Sequence, residues 1–165
     1  MTQSAVDSLQ LPAHAYVPGR TPRHADGFLD HILDLADPVT TEKDAHRNDA
    51  WLFGLRLLEH GYYWEAHEVL ERVWLNALPN SLERNFVQAM IHLANAALKI
   101  RMDREDAAVK LGKLALRCVE ESALRQKPQF MGIDIQSLRR STPEFGPGAS
   151  EDSARRAIAT LVGSG

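Results

Sequence analysis

His67, Glu71 and Trp74 stand at i, i+4 and i+7 in the run Tyr62-Tyr-Trp-Glu-Ala-His-Glu-Val-Leu-Glu-Arg-Val-Trp74. On a helix this spacing stacks an imidazole, a carboxylate and an indole along one side, about one turn apart. Side chains at i and i+4 can reach one ion, as in zinc-protease helices with the pattern His-Glu-x-x-His. Here the run reads His67-Glu68-Val-Leu-Glu71, so a carboxylate stands where that pattern has its second histidine. Zinc, manganese and iron all accept mixed imidazole and carboxylate shells. A third protein ligand is still required, and His92, His24 and Glu68 are the candidates. With two ligands fixed and no cysteine nearby, a divalent transition metal is expected to be weakly held and partly water-ligated. A closed structural zinc site draws four protein ligands.

The rest of the helix frames these groups. At roughly 100° per residue, Trp64, His67, Glu71, Trp74, Leu75 and Leu78 share one broad arc. Ala66, Val69, Leu70 and Val73 lie opposite, which leaves Glu65, Arg72 and Asn76 as the strip expected to face water. Apolar residues on two sides predict a helix buried on two sides. His67 and Glu71 are then expected to be enclosed beside tryptophans, where polar groups must find partners.

The stretch from Phe86 to Ile100 carries one polar stripe, Gln88, His92, Asn95 and Lys99, continued backwards by Arg84 and Asn85. Its middle is amide, imidazole and amide, which bond directionally without burying a charge. Gln88, His92 and Asn95 are expected either to face His67 and Glu71 across a helix pair or to face water. In the first case a buried hydrogen-bond network, with the Trp74 indole N–H as a donor, would need no ligand at all. A small organic or anionic ligand is a third reading, with Arg20, Arg23 and His24 approaching the mouth of the site from the N-terminal side.

Other chemistry finds little support. There is no Gly-x-Ser-x-Gly elbow and no phosphate-cradling glycine loop. Cys118 is the only cysteine and reads as helix packing, which excludes an intrachain disulfide. The net charge of −3, from 22 acids and 19 bases, argues against a nucleic-acid partner. The most apolar stretch, Phe86 to Leu98, is too short for a membrane span and contains Gln88, His92 and Asn95. With no leader-like pattern in the first 25 residues, the expected location is the reducing cytoplasm. A small ligand or a protein partner remains.

The elements that must position these groups are helical. Prolines 12, 18 and 22 with Gly19 keep the first quarter irregular, followed by a short helix near 26–35. Longer helices are expected near 49–60, 62–77, 82–101 and 104–124, with Gly61 ending the first and Ser81 and Asp103 capping the last two. No strand-period run is seen. After Pro128 the chain loosens, with one helical turn near Arg140, then a Pro/Gly/Ser-rich stretch and a last helix capped by Ser150. The fold class is all-α: a compact multihelical bundle of two helical hairpins plus short flanking helices. Three regions are expected, an irregular arm with a short helix (1–44), a helical core domain (45–140), and a linker with a short C-terminal helix (141–165).

The run Gly61-Tyr-Tyr-Trp-Glu-Ala-His-Glu-Val-Leu-Glu-Arg-Val-Trp74 resembles the signature of the DUF 309 family, bacterial and archaeal proteins marked by His-x-x-x-Glu-x-x-Trp. His67, Glu71 and Trp74 match it position by position. Phe86-Val-Gln-Ala-Met-Ile-His-Leu-Ala-Asn95 is similar to an apolar helix of that family. Gly132-Ile-Asp134 and Tyr16-Val-Pro-Gly19 extend the resemblance beyond a span of about 45 to 140. The resemblance implies a compact helical fold and a His–Glu pair suggested to bind metal; it implies no reaction. A second likeness is local: Leu58-Glu-His-Gly-Tyr-Tyr-Trp-Glu-Ala66, followed by Pro79, is similar in spacing to a tetratricopeptide hairpin.

Two functional classes follow. In one, His67 and Glu71 are the first ligands of a metal or small molecule, with hydrolysis as one outcome. In the other, helical hairpins dock a partner and the motif only braces them.

Overall fold

Gly61 sets the first turn of the bundle. It lies at φ +80, a left-handed conformation that costs little only without a Cβ. Its N–H donates to the Leu58 carbonyl and that of Tyr62 to the Leu57 carbonyl, the paired bonds of a Schellman C-cap. This turn separates α3 (Asp49–Glu59) from α4 (Tyr63–Leu75), and so short a link makes the two helices antiparallel neighbours. The structure is a computed structural model that describes residues 5–163. The first four residues of the expected arm and the last two of the expected C-terminal segment lie outside the described residues.

Two more long helices complete the centre, α5 (Leu82–Arg101) and α6 (Glu105–Glu120). Ser81 caps α5 by accepting from the Arg84 N–H. The expected Asp103 cap of α6 is not formed. Asp103 sits at φ 57, Arg104 holds the cap position without a side-chain bond, and the Asp103 carboxylate takes the Arg20 guanidinium instead. Four further helices flank the centre among the described residues: α1 (Ala5–Ser8), α2 (Asp30–Leu33), α7 (Ile135–Ser141) and α8 (Glu151–Val162). The helix expected near 26–35 is therefore a single turn. A full capping box between Ser150 and Ser153 starts α8.

One pair of strands departs from the helical expectation. β1 (Gln129–Phe130) pairs antiparallel with β2 (Ile133–Asp134). Met131 and Gly132, at φ 47 and 83, supply the two left-handed residues of a type I′ hairpin turn. Two residues per strand are too few for an alternating pattern to show. The Trp51 indole N–H donates to the Met131 carbonyl at 3.2 Å, which ties the turn to α3.

The core is shared by α3, α4 and α5, with α6 and α8 closing it. Trp51, Leu70, Val73, Phe86, Ile91, Leu93 and Ala115 are buried, and Leu55 and Leu111 pack partly buried against them. Close approach of α3 and α4 is enforced at Gly54, where an added Cβ would stand 2.7 Å from Leu70 Cδ2. The Pro/Gly-rich stretch after Ser141 opens with a 3₁₀ turn, Thr142–Phe145, whose Phe145 is buried against Gly112 of α6.

Arg101, at the end of α5, donates to the Gly61 carbonyl at 2.6 Å and to Glu151 of α8 at 2.7 Å. Its guanidinium also lies 4.3 Å from the centroid of the Tyr63 ring. Replacing Gly61 by alanine places a Cβ in the left-handed region and 3.1 Å from an Arg101 nitrogen. Urea unfolding of Gly61→Ala is expected to show a loss of about 1–2 kcal/mol; unchanged stability would contradict the strain at this turn.

Candidate functional site

The outer side of α4 brings three donors together. One ligand atom each from His67, Glu68 and Glu71 lie within 4.8 Å of one another, and His67 Nδ1 is 3.2 Å from Glu68 Oε1. Glu68, one of three residues weighed as a third ligand, is thus the one placed beside the motif. The side chains of His67 and Glu68 are 26% and 35% exposed, and Glu71 is exposed. This corrects the expected enclosure: Leu75 and Leu78, on the same arc, are also exposed. The packing of α3 and α5 covers the side bearing Ala66, Val69, Leu70 and Val73; on the opposite side α2 and the arm reach Trp64 and Glu68, and Glu71, Leu75 and Leu78 stay exposed.

Trp74 serves the end of the helix. Arg84 of α5 stacks on its ring at 3.8 Å and donates to the carbonyls of Trp74 and Ala77. A guanidinium on the last carbonyls of a helix satisfies orphan acceptors and meets the negative end of the dipole.

The α5 stripe is drawn elsewhere. Gln88 and His92 lie 3.4 Å apart, and His92 and Asn85 line a cavity of about 360 Å³ with Leu114, Arg117 and Cys118 of α6. His92 thus faces α6. Burial pushes its imidazole below its ordinary pKa, and burial pushes the Cys118 thiol up. Asn95 is half-buried. Arg20 is turned away as well, reaching the Arg101 carbonyl and Asp103, whereas Arg23 and His24 do come to the side of α4, where they line a cleft with Trp64 and Glu68.

The most enclosed charged group is Glu65, which the helical arc had assigned to water. It has no exposed surface. Its Oε1 accepts the Tyr16 N–H at 2.6 Å and lies 2.6 Å from His24 Nε2, while Oε2 has no partner among the described residues. The arm places these donors: Thr21 bonds the Val17 N–H and the Ala15 carbonyl, folding Tyr16–Thr21 into a tight loop. His24 is held between rings, with Phe28 at 3.8 Å and His14 at 4.6 Å between centroids. Trp64 and Tyr16 close the cage edge-on, 5.1 Å apart at 90°.

Periodicity could not reveal this burial, because the cover comes from a segment 41 to 49 residues away. The available signal was compositional: Glu65 is the only charged residue among Tyr62, Tyr63, Trp64 and Ala66. Tyr63, also buried, keeps a hydroxyl without a partner among the described residues, and burial raises its phenol pKa against the opposing pull of Arg101.

Residues 51–111 match the model of a family described as Domain of unknown function (DUF309). No curated protein and no solved structure matches the chain.

Removing a partner from a buried pair leaves the other uncompensated, so Glu65→Ala is expected to cost about 3 kcal/mol. Glu71→Ala, at an exposed position, is expected to stay within about 0.5 kcal/mol. Chemical denaturation of both variants checks the contrast, which reverses if Glu71 is the enclosed group. His92 gives a pH prediction with a definite sign. Its folded pKa lies below the unfolded one, so the unfolded chain binds the extra proton and stability falls as pH drops below about 6.5. The His92→Gln variant is expected to lose less stability than the parent between pH 7.5 and 5.5. Equal losses would remove His92 from the acid response.

Proposed function

We propose that the outer face of α4 binds a divalent transition metal through His67, Glu68 and Glu71. The observation that carries this reading is the mutual approach of their ligand atoms to within 4.8 Å. One imidazole and two carboxylates form a borderline-hard donor set that suits zinc, manganese or iron. All three donors come from less than two turns of one helix, so the site needs no tertiary rearrangement to assemble. Its exposure leaves further coordination positions to water or to a ligand, which is the open arrangement of catalytic sites. A metal bound there would supply a Lewis acid and an activated water, the chemistry of hydrolysis.

Glu68 links this face to the arm, since it also lines the cleft that holds His24 and Trp64. A substrate group lying in the cleft would therefore reach the metal face from the side of the arm.

A second reading, a tetratricopeptide-like interaction module, draws on Val39, Leu75 and Leu78, which are 46%, 57% and 61% exposed around the end of α4. Val39 is brought there by the bond of the Thr40 N–H to the Asn76 carbonyl. Among the described residues no helix is long and apolar enough to cross a membrane.

Elemental analysis of protein purified without an affinity tag or chelator separates the two. The metal reading expects a transition metal that is lost in His67→Ala, and zinc titration weakened about tenfold or more in Glu71→Ala. Protonation of the imidazole competes with the ion, so uptake is expected to fall in acid. Metal-free protein that takes up no zinc, manganese or iron would leave the module reading standing.

A further inference from the structure

We propose that the cavity between α7 and α8 binds a small phosphorylated polyol, with Arg140 and Arg156 holding the phosphate. The cavity measures about 370 Å³, within the range of roughly 300–1,000 Å³ common to small-molecule sites. None of its walls belongs to α4, so this site stands apart from the metal reading.

Both walls carry the same spacing. Ser137, Arg140 and Ser141 stand at i, i+3 and i+4 on α7, and Ser153, Arg156 and Ala157 repeat it on α8. Each trio lies on one helix face, so each helix brings one guanidinium to the cavity. A guanidinium keeps its charge at any working pH, and its planar fork matches phosphate oxygens two at a time. One nitrogen of Arg140 lies 3.2 Å from Ser137 Oγ and 3.9 Å from Asp134. That contact steadies the side chain and leaves donors over. Arg156 has no ion pair or side-chain hydrogen bond among the described residues.

The acceptors on the walls define the rest of the ligand. Glu144 lines the same cavity, yet its carboxylate pairs with neither arginine among the described residues. Ser141, only 7% exposed, donates its hydroxyl hydrogen to the Leu138 carbonyl at 2.9 Å, and Ser153 donates to the Ser150 carbonyl at 2.9 Å. With those hydrogens spent, the serine oxygens meet the cavity as acceptors. Guanidiniums therefore suit an anionic end, while carboxylate and hydroxyl oxygens suit a body that carries O–H donors. Ala157 is the only apolar side chain on the walls, and no ring lines them among the described residues. An acyl chain or a nucleobase would find no surface to pack on.

The probes are glucose 6-phosphate, glucose and inorganic phosphate, each titrated in EDTA to keep any metal on α4 out of the readout. Amide NMR signals of α7 and α8 report occupancy. Glucose 6-phosphate is expected to saturate, with inorganic phosphate weaker and glucose weaker still. Arg140 and Arg156 are exposed, so Arg140→Ala and Arg156→Ala leave the core intact, and each is expected to weaken glucose 6-phosphate roughly tenfold. Glu144→Gln removes like charge and is expected to tighten inorganic phosphate. The proposal is overturned if glucose 6-phosphate does not saturate by roughly 10 mM, or if the double arginine variant binds it as the parent does. Glucose or inorganic phosphate binding as tightly as glucose 6-phosphate would overturn it too.

Discussion

A carboxylate with no exposed surface has to be met by donors, and Glu65 is met from a distant part of the chain. The Tyr16 amide and the His24 ring both converge on Oε1. Prolines and a left-handed Gly19 keep residues 12–22 of the arm out of helix. Its position follows from this buried contact together with the ring cage of His14, Phe28, Tyr16 and Trp64. The cleft beside Glu68 exists because the arm is held there. A buried ionisable pair is weak support for net stability, since desolvation offsets much of the attraction. Its contribution here is specificity: one docking position leaves the carboxylate partnered, and displaced positions do not.

The packing of α4 explains why its outer face is divided. With Gly54 allowing α3 to close on Leu70 and α5 on the next side, the apolar arc of α4 is saturated by two helices. Residues 37–40 of the arm bond the far end of α4, and the part that folds over the outer face covers its first turn. Beyond it, Glu71, Leu75 and Leu78 meet solvent, although a helical wheel assigns them to the same side as Trp64.

Much of the fold was legible for a physical reason. Helix extents follow from local signals, and Ser81, Ser150 and Gly61 act as caps where their chemistry places them. The buried side of α5 is equally local, since a long run of alanine, leucine and isoleucine admits one polar stripe. The Met131–Gly132 turn escaped because two-residue strands have no period to detect. The site was half legible. Spacing alone brings His67, Glu68 and Glu71 together on one face. Which side of α4 is covered depends on chain that packs from far away, and a wheel cannot distinguish an arc under an arm from an arc under water. That same blindness sent Glu65 outward and Glu71 inward. The stripe of α5 was misdirected similarly: amide and imidazole groups marked an interface, but the neighbour is α6.

Arg101 bears on the order in which the fold can close. Its side chain meets the α3–α4 turn at Gly61 and Glu151 of α8, while its carbonyl receives Arg20 from the arm. These partners lie 40 residues before it, 50 after it and 81 before it. During synthesis the arm and the turn are made long before their anchor, and α8 follows α5 by a further stretch of chain. Helices α3 to α6 contact their sequence neighbours and can assemble as they emerge, whereas the junction at Arg101 waits for α8. Until then Arg101 has two of these three partners, so the nascent bundle carries an unfinished seam at one end of α5.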